Sequence, residues 1–167
     1  MCYNTTRFLS GGIENQKEKE KTMKKMFAAL AAALCLVSGA WASGVWNLGN
    51  VTYGIVISDD TRVEGTLNSD QKIEIYDGAT ITLSDVTINR SNSNCQWAGL
   101  TCQGNATIIL EGENTINGFS SGYPGIYVPS GSTLTIKGTG TLNATGNGGG
   151  AGIGGGLSLS CGNIVKY

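Results

Sequence analysis

The sequence predicts an all-β fold, a right-handed parallel β-helix of three-strand rungs, from three residue series that recur with one phase. The first is a Thr-Leu/Ile-Asn triplet at Thr66-Leu67-Asn68, Thr87-Ile88-Asn89, Thr115-Ile116-Asn117 and Thr141-Leu142-Asn143. The second is Ile73, Leu100, Ile126 and Ile153, the last three each preceded by glycine (Gly99, Gly125, Gly152). The third is Ile81, Ile108, Leu134 and Ile164. Spacings cluster at about 26 to 28 residues, the length of one supersecondary unit in a solenoid.

Within a rung, alternation marks the strands. Ile73-x-Ile75, Leu100-x-Cys102 and Ile126-x-Val128 form one series, and Ile81-x-Leu83, Ile108-x-Leu110 and Leu134-x-Ile136 a second. Successive strand side chains point to opposite faces, so these apolar residues turn inward while Thr, Glu and Lys turn outward. Two or three inward residues make no core alone. Stacking rungs about 4.8 Å apart buries them continuously. The triplet forms the third strand, and its asparagines Asn68, Asn89, Asn117 and Asn143 are expected to stack as a ladder at a corner. Gly78, Gly104 and Gly131 mark a further corner. An antiparallel sandwich also has short strands and turns, but does not predict a three-part repeat in constant phase.

Residues 1–22 read as sequence upstream of the true initiator, and 23–42 as a cleavable signal peptide. Met23-Lys24-Lys25 supplies the basic start, Met26 to Val37 the apolar core and Ala40-Trp41-Ala42 the small-x-small cleavage site. The apolar stretch is short of the roughly 20 residues a bilayer span needs. The expected mature domain is 43–167, exported to the cell surface, periplasm or medium, without membrane insertion. Ile164 matches the start of a strand three residues before the last, so further rungs are expected downstream, with truncation at the C-terminus.

The mature segment holds nine acids (Asp59, Asp60, Glu64, Asp70, Glu74, Asp77, Asp85, Glu111, Glu113) and five bases (Arg62, Lys72, Arg90, Lys137, Lys166), a net charge of −4. That excludes the basic footprint of a nucleic-acid binder. With no histidine in the chain, a histidine triad and a histidine-based metal centre are also excluded. Cys95 and Cys102 are close enough for a disulfide, with a buried apolar role for Cys102 as the alternative. No metal site and no cofactor is expected. Gly150-Ala151-Gly152-Ile153-Gly154-Gly155 matches a dinucleotide fingerprint only formally, because no helix follows.

Functional candidates come from where the rungs vary. Three long connections, Arg90 to Gly99, Gly118 to Gly125 and Ala144 to Gly152, follow the Asn corner and are expected along one edge. Trp97 and Tyr123 recur two residues before the strand glycine, with Gln96 beside the first. Glu74, Thr101 and Tyr127 are the adjoining outward positions. Aromatic faces with amide and hydroxyl neighbours suit sugars, so these six residues are the candidate glycan site. The competing reading packs Trp97 and Tyr123 on each other to cover a corner. Glu111 and Glu113 flank a turn as solvated residues commonly do, and no catalytic residue is identified.

Trp97-Ala98-Gly99-Leu100-Thr101-Cys102, Tyr123-Pro124-Gly125-Ile126-Tyr127-Val128 and Ala151-Gly152-Ile153-Gly154-Gly155-Gly156 each lead into a Thr-rich strand. In this, residues 50 to 167 resemble bacterial surface β-helix proteins described as carbohydrate-binding domain-containing, of pectate-lyase-like fold. The resemblance implies polysaccharide binding or adhesion and supplies no catalytic residues. The leading expectation is therefore a non-enzymatic glycan-binding module. Its alternatives are a fragment of a polysaccharide lyase or glycoside hydrolase, and a structural stalk of a larger surface protein.

Overall fold

The computed structural model describes residues 44–58 and 61–167. The expected upstream segment, the signal peptide, and Asp59 with Asp60 lie outside the described residues. The first strands are β1 (Val45–Asn47), β2 (Ile55–Ile57), β3 (Thr61–Thr66) and β4 (Ile73–Ile75). Next come β5 (Thr80–Ile88), β6 (Leu100–Cys102), β7 (Ala106–Glu111), β8 (Glu113–Asn117) and β9 (Ile126–Tyr127). The last are β10 (Thr133–Gly138), β11 (Thr141–Thr145), β12 (Ile153–Gly154) and β13 (Asn163–Lys166). A short 3-10 turn, Leu48–Asn50, follows β1.

These strands form two sheets, and every strand pairing in them is parallel. One sheet runs β1-β3-β5-β7-β10-β13, with β8 pairing β5 and β11 at its side. The other runs β12-β9-β6-β4-β2. Sequence neighbours thus pair with strands about one repeat away.

Register explains the burial. In the smaller sheet Ile57 pairs Ile75 and Ile75 pairs Cys102, while in the larger one Val63 pairs Leu83 and Leu83 pairs Leu110. All six face one apolar cluster shared by both sheets. Each fully buried Ile, Leu or Val contributes about 1.5–3 kcal/mol of transfer free energy. Burial weakens in the last strands: Leu142 and Ile153 are only partly covered, and Ile164 is 43% exposed.

Two of the expected alignments slip by two residues, both beyond β8. Ile108 pairs Ile136, whereas Leu134 pairs Ala106. Asn143 stands opposite Thr115, and it is Thr145 that stands opposite Asn117. A shift of two keeps every side chain on its own face, so the apolar pattern is indifferent to it.

The asparagine ladder is accordingly shorter than expected. Asn117 Nδ2 donates to Asn89 Oδ1 at 2.7 Å, but Asn143 is off the column. The stronger corner residue is Asn114, which is 1% exposed. Its Oδ1 accepts from the Val86 N–H at 3.0 Å, and its Nδ2 donates to the Glu111 and Thr141 carbonyls at 2.9 and 3.1 Å. One amide thus links three successive repeats and satisfies three backbone groups, the Val86 N–H among them buried. Beside it, Asp85 is the extra residue where β3 and β5 shift register, at φ 53, and its carboxylate accepts from the Glu113 N–H. At the glycine corner, Gly78 and Gly131 have φ of +81 and +82. Gly104 serves differently: a Cβ there would lie 2.1 Å from Asp77 Oδ1, which accepts from the Asn105 N–H.

Candidate functional site: the outer face of the five-stranded sheet

Alternation along β4, β6 and β9 turns Ile73, Ile75, Leu100, Cys102 and Ile126 into the core, which leaves Glu74, Thr101 and Tyr127 on the opposite face. Parallel pairing places them in one column. Val56 pairs Glu74, Glu74 pairs Thr101, Thr101 pairs Tyr127, and Tyr127 pairs Gly154. Val56 is 49% exposed at one end, and Gly154 contributes no side chain at the other.

Two residues not anticipated from sequence join this face. Tyr76 and Gln103 lie two positions after Glu74 and Thr101, and both are exposed. Their N–H groups donate to the Ile57 and Ile75 carbonyls, so the sheet's backbone pairing continues through them. Tyr76 is 53% exposed. The one carboxylate of the column, Glu74, accepts from Lys72 Nζ at 2.8 Å. The face therefore offers the exposed Tyr76 ring and Gln103 amide and the partly buried Tyr127 ring around a closed ion pair. Thr101, between Glu74 and Tyr127 in the column, is itself buried.

The loop edge is built differently. The Asn92 N–H donates to the Phe119 carbonyl, Gly118 to Thr145, Gly122 to Asn147, and Asn147 to Tyr123. Successive loops are thus bonded to each other through their backbones. Phe119, fully buried, anchors the set. The Trp97 ring packs on it with centroids 6.0 Å apart and planes tilted by 51°. Trp97 is partly buried and its Nε1 lies buried without a partner. Its ring neighbour is Phe119, not Tyr123. Tyr123 is partly buried, and its carbonyl fills the place a Gly150 side chain would need, 2.3 Å from that Cβ. The glycine run from 146 to 152 is a close-packing device. Gln96 is exposed beside this edge.

A clasp holds the first loop. Arg90 Nε donates to Asp70 Oδ1 at 2.6 Å and Asn92 Nδ2 to Asp70 Oδ2 at 2.7 Å. The Arg90 bond first, then the Asn92 bond, holds the Asp70 carboxyl below its ordinary value. Cys95 and Cys102 are both buried and free, as in the buried apolar alternative for Cys102, and exposed Cys161 is free as well. Burial pushes the Cys102 thiol up to about 12, which removes it as a nucleophile near neutral pH.

Three further acids among the described residues are engaged structurally. Asp77 and Asp85 accept backbone N–H groups, and Glu111 pairs with Arg62, which also donates to Ser84 Oγ at 2.6 Å. Among the described residues no group of three or more His, Cys, Asp or Glu is placed to hold a metal ion. No helix among them is long and apolar enough to cross a membrane.

The chain matches no family model, and neither curated proteins nor solved structures show a significant similarity to it.

Proposed function

We propose that the chain is an exported, non-enzymatic glycan-binding module, wound as a right-handed β-helix, which holds its ligand on the outer face of the five-stranded sheet. The observation that carries this reading is the register joining Glu74, Thr101 and Tyr127 in one column, with exposed Tyr76 alongside. Aromatic rings stack on the apolar faces of sugars, and neighbouring amide, phenol and carboxylate groups meet their hydroxyls. Binding sites of this kind combine apolar area with a few polar groups that fix orientation. The resemblance to bacterial surface β-helix proteins points the same way.

The test is retention of the full chain on a panel of immobilised polysaccharides. Tyr76→Ala combined with Tyr127→Ala should abolish retention and leave the fold intact by circular dichroism. Retention unchanged in the double variant would remove this face from consideration. A structural stalk is favoured by one observation, the backbone bonding that closes the loops on each other. It predicts no retention on any polysaccharide.

A further inference from the structure

We infer, building on the glycan reading just given, that the ligand is an uncharged polysaccharide chain lying along the stacking direction of the rungs. Charge decides the first part. A polyanionic glycan needs cations at its uronate or sulfate groups, and guanidinium or ammonium groups supply them. The described cations are placed elsewhere or already paired. Arg62 lies on the larger sheet and bonds Glu111 and Ser84, and Arg90 is held by Asp70 in a loop. Lys137 and Lys166 lie on β10 and β13 of the larger sheet. Lys72 alone borders the face, and its ammonium is bonded to Glu74. The other members of the face, Val56, Tyr76, Thr101, Gln103 and Tyr127, carry no charge. A dense anionic chain would meet Glu74 with no surplus of positive charge to offset it.

Register decides the second part. Glu74, Thr101 and Tyr127 succeed one another across the strands, so their column runs along the stack and not along any one strand. Adjacent strands are about 4.8 Å apart, which puts Tyr127 about 10 Å from Glu74 along the stack. Tyr76 stands in the neighbouring column, level with the strand of Glu74. A single sugar reaches one tyrosine only. An extended chain meets both rings, with the exposed Gln103 amide between them.

Two measurements on the full chain test this. Affinity electrophoresis compares neutral glucan, mannan and xylan with polygalacturonate and alginate, at low and high salt. Retention by a neutral polymer, insensitive to salt and lost in Tyr76→Ala/Tyr127→Ala, is the expected result. Calorimetry with neutral oligosaccharides, from monomer to hexamer, of whichever polymer is retained should show affinity rising by about tenfold or more as the chain comes to span both tyrosines, then levelling. Preferential, salt-sensitive retention on the acidic polymers through the same tyrosines would overturn the inference and leave the glycan reading standing. So would a monomer that binds as tightly as the hexamer. Absence of retention on every polymer, or retention indifferent to the double variant, would instead bring down the glycan reading itself.

Discussion

The outer face of the five-stranded sheet and the loop edge both carry residues repeated at about one rung, yet only one of the two keeps them in register. On the sheet face, Thr101 and Tyr127 stand on strands that pair residue for residue, so a sequence interval becomes a true column. On the loop edge, Trp97 and Tyr123 recur at the same interval without becoming ring neighbours. Trp97 turns onto Phe119, a residue with no counterpart in the repeat. Periodicity in a stacked fold therefore locates side chains only where strand pairing enforces the register. In loops the chain length is free, and burial of the largest ring decides the arrangement.

The largest expected effect tests the structural role of the edge. Phe119→Ala removes a fully buried ring packed on Trp97, and should cost about 3–5 kcal/mol in denaturant unfolding. Tyr76→Ala on the sheet face should change stability by less than about 0.5 kcal/mol, because its ring is half exposed. If both substitutions proved equally costly, the contrast between a packed edge and an open face would not hold.

Much of this was legible in the sequence, for reasons that the pairs make concrete. Ile73, Leu100, Ile126 and Ile153 do align across the smaller sheet, because inward parity and, in the last three, a preceding glycine allow one register. The slip at Leu134 and Asn143 was not legible, since a two-residue shift leaves inward and outward residues unchanged. Asn114 was hidden by Asn117, which fits the triplet, although only Asn114 is buried. Its three bonds follow from backbone groups left open at the corner, which no residue spacing reveals. Tyr76 was missed because it has no aromatic one rung away. Its signal is its place two residues beyond Glu74, on the outward parity.

A smaller effect concerns how the loop edge is tied down. Asp70 bonds Arg90 and Asn92, and its carboxyl titrates below the ordinary 3.8. The clasp contributes fully above that unfolded-state value and is lost as pH falls through the lower folded one. Amide exchange at Asn92 and Cys95 should therefore quicken on acidification through that range while exchange in β4 and β6 stays slow. Asp70→Asn should give the fast exchange at neutral pH and remove the pH dependence. A uniform change across loop and strands would mean that the clasp has no local role.

The smallest effect separates the two regions most directly. Trp97→Phe keeps an aromatic ring against Phe119 but deletes an indole N–H that is buried without a partner. An unsatisfied buried donor costs about 1–3 kcal/mol, so its removal offsets the packing lost with the smaller ring. The net change in unfolding free energy should be under about 1 kcal/mol, since the two contributions have opposite sign. Retention on polysaccharide should be unaffected, because this ring covers a corner and contributes nothing to the sheet face. Loss of retention with stability intact would reverse the comparison: Trp97 and its loops would then hold the sugar, and the column from Glu74 to Tyr127 would be only the wall beside it.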